Sequence, residues 1–446
     1  MIKAKSNHLG WFKCSVWLGV ALFSGAAQAS VIYVDTDNNS GTETGTSWST
    51  AYTELSTALA SAVNGDEIWV AQGTYYPSQD DDRSDTFQMI EGVDIYGGFQ
   101  GSEASVDERD WETYETILSG AIGESRQADN SYHILKGAND ATIDGFFVEY
   151  ANARGESSSK TTTSTTQATT ASTVLESEGL TYGGGMLNFQ TAPTVKNMVF
   201  RYNWSMKGGA VYNMAATSIQ SGDYTAPSFY NVTFQENYAV SRGGGVANDL
   251  YTHPYMERVT FIDNYTDAKG GGMYNDWACS PTLVNCLFSG NDAFRAGAMG
   301  NDGTSSPVMI NCTIADNTAY EMGAGLYQGS FNQNVNAPVL INSIIWNNTL
   351  DIAGYGNISN WHTNEPLLVN SIVENGYWGV DMVASDDSGF SDSDNDDYSL
   401  SSATSPAVDG GVSSYTYDGT TYTAPTEDRD GNPRDSVIDI GAYEYQ

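Results

Sequence analysis

Of 446 residues, 55 are Asp or Glu and only 18 are Lys or Arg, a formal net charge of −37. Such acidity disfavours nucleic acid and anionic membrane as partners. Forty-six Gly and 28 Tyr, with almost no helix-forming runs, point to an all-β chain.

Residues 1–29 read as a secretory signal: Lys3, Lys5 and Lys13, an apolar run from Val16 to Phe23, then the small-residue site Ala27-Gln28-Ala29. The apolar run is too short to span a bilayer. Cys14 precedes it, which disfavours a lipoprotein anchor. Cleavage after Ala29 removes three lysines and no acids, so the charge moves from −37 to −37 − 3 = −40. No later segment has membrane-spanning length, so a secreted, extracellular monomer without membrane insertion is expected.

Residues 30–150 are expected to form an N-terminal cap and the first coils. Within them Ala51–Asn64 has the pattern of a short amphipathic helix, suited to hiding the open strand edges of a terminal coil. Residues 151–180 are Ser/Thr-rich and aperiodic, which reads as a loop insertion.

The regular part is residues 181–380. Six units open with GGGMLN (Gly183), GGAVYN (Gly208), GGGVAN (Gly243), GGGMYN (Gly270), AGAMGN (Ala296) and GAGLYQ (Gly323). The intervals are 25, 35, 27, 26 and 27 residues. Second halves repeat too, as FYNVTFQEN, MERVTFIDN, LVNCLFSGN, MINCTIADN and LINSIIWNN. Short apolar runs punctuated by Gly and Asn are strands separated by tight turns, and the fixed period marks a solenoid. The unit-ending Asn203, Asn237, Asn264, Asn291, Asn317 and Asn348 are expected to stack as a structural ladder. Cys286 and Cys312 share one repeat position and read as packing thiols; with Cys279 they leave an odd count, and no His lies at metal-ligand spacing.

Residues 381–446 combine an acidic, Ser-rich run (Asp381–Asp397) with a closing module. Ca²⁺ could sit in that run or in the Ser/Thr loop, but neither has EF-hand ligand spacing, and no metal site is assigned.

The GGAV (Gly208–Val211) and FQEN (Phe234–Asn237) tetrapeptides resemble the GGA-I and F-x-x-N repeats of polymorphic outer-membrane proteins. The segment from Val31 to Pro77 resembles the entry module of secreted bacterial β-helix proteins. SPAVDGG…DRDGNPRDSVIDIGAYEY (Ser405 to Tyr445) is similar to the choice-of-anchor Q module. These resemblances imply a right-handed parallel β-helix with a short N-terminal capping helix. They name no activity, since such proteins include lyases, hydrolases, adhesins and matrix components. With nothing after Gln446, free secretion is expected.

The residues preceding four consecutive unit openings are Lys207, Arg242, Lys269 and Arg295. In a solenoid a sequence column becomes a column in space, here about 14 Å long. Four like charges in file need an anionic neighbour. Two neighbours are open: the equally regular Asp249, Asp276 and Asp302, seven residues further on, or an anionic polysaccharide. Tyr212, Tyr274 and Trp277 stand near the column and suit sugar stacking.

If the groove is catalytic, the fitting reaction is β-elimination from a uronate. Arg242 and Arg295 would neutralise the sugar carboxylate and Lys269 would take the proton, with Tyr274 or His253 as the alternative proton carrier; Lys207, Tyr212, Trp277 and the three aspartates would bind substrate. The resemblance to β-helix polysaccharide lyases, which use Lys, Arg and acidic Ca²⁺ ligands, favours this reading. A glycoside hydrolase using paired Asp, and a non-catalytic adhesin or biofilm-matrix protein, are the alternatives. His133, His253 and His362 lie apart from any Ser or Cys nucleophile motif.

Overall fold

The computed structural model describes residues 29–123, 127–154, 181–215, 224–329, 337–352, 356–360 and 365–446. All of the expected signal peptide but Ala29, most of the 151–180 insertion and His362 lie outside the described residues.

The chain is a right-handed parallel β-helix. Its strands build three long parallel sheets of 19, 9 and 7 strands, called here sheets A, B and C. In one coil, Val246–Asp249 lies in sheet B. The chain then turns through Leu250–Pro254 into sheet A, where Tyr255–Glu257 and Thr260–Ile262 flank Arg258, a left-handed residue (φ 56°) that bends the path. Asn264 turns the chain into sheet C as Tyr265–Lys269. Gly270, at φ 74°, makes the corner back to sheet B at Met273–Asn275.

That corner explains the glycine columns. A side chain at Gly270 would be strained by its φ, and one at Gly244 would strike the carbonyl of Gly271 on the next coil. The close approach is what lets corners stack.

Each coil turns its apolar residues inward. Phe200, Phe234, Phe261 and Phe288 are fully buried and stack in file at 5.4, 5.0 and 4.3 Å between centroids. Burying one such ring is worth about 1.5–3 kcal/mol. Cys286 and Cys312 are free thiols in the same core, and Cys279 is buried as well.

Polar ladders hold the register. Asn237 Nδ2 donates to Asn264 Oδ1 at 3.0 Å, and Asn264 Nδ2 to Asn291 Oδ1 at 2.9 Å, with each amide also donating to a backbone carbonyl. A second inward ladder runs along sheet B through Asn188, Asn213, Asn248, Asn275 and Asn301. Because neither ladder reaches water, these bonds fix the alignment of neighbouring coils.

Helix α1 (Leu55–Ser61) buries Leu55, Ala58 and Leu59 against the first strands, including Val31–Val34 and Glu67–Ala71. It is shorter than the Ala51–Asn64 pattern because Ala62 is already extended. No helix among the described residues is long and apolar enough to cross a membrane.

The C-terminal segment does not simply extend the stack. It first runs back along the outer face of sheet A toward earlier coils, reaching Asn285 with Glu427, and then reverses to meet Asn311 with Asp439. Asn370 donates to Gly410 O, Asn342 to Val412 O, Asn311 to Asp439 O, and Asn285 to Glu427 O. All four asparagines are left-handed residues at the bend of sheet A, so their side chains stand outward. Leu287, Ile341, Ile344 and Val369 face outward on these coils and are buried beneath the segment. Arg434, 0 % exposed, pairs with Glu444 at 2.8 Å and locks the segment to itself. Burial holds the Arg434 guanidinium below its ordinary value and pushes the Glu444 carboxyl up.

Candidate functional site

Sheet C ends in the basic file. Lys207 pairs in register with Arg242, Arg242 with Lys269, and Lys269 with Arg295. The file therefore runs along the corner between sheets C and B at one strand spacing per residue. Its side chains are 21, 34, 27 and 28 % exposed, so each is mostly buried and only partly in solvent.

Each cation reaches an acid belonging to the next coil. Lys207 meets Asp249 at 3.2 Å, Arg242 meets Asp276, Lys269 meets Asp302 at 2.7 Å, and Arg295 meets Glu321 at 2.5 Å. Of the two neighbours open at the sequence level, the protein itself supplies one: the aspartate column. The fourth partner, Glu321, does not belong to that column and carries no repeat signal.

The tyrosines correct an expectation. Tyr212 and Tyr274 are 2 and 1 % exposed, so neither ring presents a face to a sugar. They lie on the outer side of sheet B beneath the ion pairs, in a file that alternates large and small: Tyr212, Ala247, Tyr274, Gly300, Tyr327. Tyr212 donates to Asp249 Oδ2 at 3.0 Å, and Tyr274 donates to Asp302 Oδ2. Burial and the adjacent aspartates push both phenols well above their ordinary range, so each stays neutral and acts as a fixed donor. Tyr274 thus donates to Asp302 from beneath, with its ring sealed from solvent.

Asp276 differs from its neighbours. Burial raises its carboxyl, Arg242 opposes that, and the neighbouring Asp249 and Asp302 add to the rise. Its Oδ1 accepts from the backbone N–H of Trp277 at 3.0 Å.

The opposite edge of sheet B is the corner toward sheet A. Here Trp277 (48 % exposed) and Tyr251 (42 % exposed) stand out on adjacent coils, both at positive φ. His253 is at this corner too, away from the basic file. Its Nδ1 accepts from Ser280 N–H at 3.0 Å and its ring meets Tyr224 edge-on at 5.3 Å. Burial lowers its basicity. The structure therefore brings together Lys207, Arg242, Lys269, Arg295, Asp249, Asp276, Asp302, Tyr212 and Tyr274. Trp277 adjoins Asp276 with its ring exposed at the far edge of the sheet, and His253 lies at that corner with Ser280 and Tyr224. Among the described residues no group of three or more His, Cys, Asp or Glu is placed to hold a metal ion.

No family model matches the chain, and no curated protein matches it in sequence. Among solved structures it is similar to the pectate lyase Pel9A, with TM-score 0.51 and 14 % identity over 95 % of this chain and 98 % of that one. A rhamnogalacturonan lyase is also similar, with TM-score 0.44 and 11 % identity over 81 % of this chain and 90 % of that one. At such identity the likeness to Pel9A is one of architecture: the chain has a polysaccharide-lyase-like parallel β-helix fold.

Proposed function

We propose that the protein is a secreted polysaccharide lyase that cleaves a uronate-containing chain by β-elimination, with the chain lying over the outer face of sheet B. The observation that carries this reading is the file of four partly exposed cations at strand spacing along one edge of that sheet. Exposed Trp277 and Tyr251 on the other edge suit packing against sugar C–H faces. The architecture shared with a pectate lyase supports it by analogy.

In this reading a uronate carboxylate replaces Asp276 as the partner of Arg242, with Arg295 also within the file. Neutralising the carboxylate acidifies the adjacent C–H. Lys269 hands one proton to Asp302 and, as the free amine, takes the C–H proton. The released electron pair forms the C=C bond, the β C–O bond breaks, and the leaving oxygen collects a proton from water, whose hydroxide then takes the proton held by Asp302. Tyr274 holds Asp302 in place throughout.

One observation favours a second reading, binding without turnover by an adhesin or matrix protein. The four cations already face four carboxylates, so the file carries no net charge. Incubation with polygalacturonate, alginate and hyaluronate, followed by ultraviolet absorbance of the unsaturated product, separates the two. Growing absorbance that Lys269→Ala abolishes supports the lyase. Retention on the polysaccharide without product sinks it, and new reducing ends without absorbance point to hydrolysis.

A further inference from the structure

Among the described residues, sheet A is covered at both ends but not in the middle. On the N-terminal side the segment around Arg109 and Trp111 lies across it. Arg109 pairs with Asp144 at 2.8 Å and donates to Gly97 O at 3.1 Å, while Trp111 packs on Phe147 with 6.1 Å between ring centroids. On the C-terminal side the returning tail begins at Arg258, which meets Glu427 at 3.5 Å, and Arg429 donates to Val259 O at 3.4 Å. Between these flanks lie strands Thr194–Arg201 and Ser228–Gln235. In register, Asp144, Lys196, Tyr230 and Glu257 occupy four successive strands. The notch from Asp144 to Glu257 is then about 14 Å across, wide enough for one sugar chain running along the strands.

The character of the sheet changes where the cover stops. Under the tail the outward residues are Val284, Ile310, Ile341 and Val369 in this same column. In the notch they become Lys196 and Tyr230, beside Tyr255 of the neighbouring column, all partly exposed. The Tyr230 and Tyr255 rings lie 5.7 Å apart, and Lys196 Nζ is 5.9 Å from the Tyr230 ring. The bordering acids are engaged: Asp144 by Arg109 and Asn197, Glu257 by the Tyr255 hydroxyl at 2.9 Å. Lys196 has no carboxylate within ion-pair distance among the described residues, unlike every cation of the file beside sheet B.

We infer that this notch is a second carbohydrate site, separate from the sheet B groove, which takes an acidic sugar with its carboxylate or sulfate on Lys196 and its ring against Tyr230 and Tyr255. An ammonium without an acid within ion-pair distance, set by the Tyr230 ring that itself packs on Tyr255, complements an anionic sugar in a strongly acidic protein. The site needs no turnover and is independent of the lyase reading.

Calorimetric titration with oligogalacturonate, and with its methyl-esterified form as the uncharged control, tests the inference in a Lys269→Ala background that removes the proposed base. The expected result is two binding events per chain. Lys196→Gln and Tyr230→Ala should each weaken one of them about tenfold or more, and Lys196→Arg should restore it. The methyl ester should miss the Lys196-dependent event. Thermal unfolding of each variant shows that the fold is intact. Binding unchanged by Lys196→Gln and Tyr230→Ala overturns the inference, as does the absence of any binding by the parent. A site that persists unchanged beside sheet B leaves the lyase reading untouched in either case.

Discussion

Lys269 Nζ and Asp302 Oδ2 are 2.7 Å apart on successive coils, and the same carboxylate oxygen accepts from the buried hydroxyl of Tyr274. One acid thus couples a partly exposed cation to a phenol sealed beneath it. The arrangement makes Lys269 a positioned group, not a free amine, and its chemistry depends on Asp302.

Replacing either partner should have different consequences. Lys269→Ala should reduce β-elimination by about 10²–10⁴-fold. It should also cost about 1–2 kcal/mol of stability, between the values for surface and buried pairs, because Asp302 loses its counter-charge. Asp302→Asn should keep the Tyr274 contact and most of the stability while removing the proton acceptor for Lys269. Product absorbance and urea unfolding of the two variants check this, and equal activity in Asp302→Asn and the parent would refute the coupling.

The inward asparagine ladder should be expensive to interrupt. Asn264 is fully buried, donates to Phe234 O and Asn291 Oδ1, and accepts from Asn237. Asn264→Ala strands partners on two coils, and a loss of about 3 kcal/mol is expected. Chemical denaturation measures it; a loss under half that size would mean that water repairs the gap.

Asp66 ties down the start of the described chain. It accepts from the Ser30 hydroxyl at 2.8 Å, the Ser30 N–H at 3.0 Å and the Val63 N–H at 2.9 Å. Burial pushes its carboxyl up, but the hydrogen bonds from Val63 and Ser30 outweigh it and hold the group below its ordinary 3.8. A depressed folded value means that the contribution is present above the unfolded value and is lost as pH falls through the folded one. Asp66→Asn should therefore cost about 1–2 kcal/mol at neutral pH, and the gap to the parent should close on acidification below about pH 4. Unfolding curves at several pH values test the sign; a gap that widens in acid is the contrary result.

Arg434 and Glu444 form an ion pair inside the tail, 0 and 4 % exposed. Arg434 also donates to Asn285 Oδ1 at 3.1 Å and to Ala442 O at 3.1 Å. Arg434→Met removes the charge and leaves Glu444 buried alone, so about 3–5 kcal/mol should be lost. Limited proteolysis should then cut first in the tail, ahead of the coils; cleavage spread evenly over the chain would argue against a local release.

Much of this was legible in the sequence because the repeat converts spacing into register. Lys207, Arg242, Lys269 and Arg295 lie in one file in the structure as in the alignment of units. Their facing was not legible. The pairing of sheet C slips between Thr266 and Lys269 and again between Ala293 and Arg295, so two-residue alternation does not carry across the corner. Tyr212 and Tyr274, close to the basic file in sequence, are instead roofed over by its ion pairs. The tail was illegible for a different reason. Its contacts join residues 40 to 170 positions apart, and the asparagines that receive it look like any other turn residue.

The returning tail also measures the molecule. A stack of coils can ordinarily gain or lose a repeat, since each coil touches only its neighbours. Here Asn285, Asn311, Asn342 and Asn370 each meet a set point on one segment laid across their coils. One extra coil among them would shift every later contact by about 4.8 Å and part the tail from its rungs. Change in repeat number is thereby confined to the coils before Arg258, while the later ones keep a fixed count.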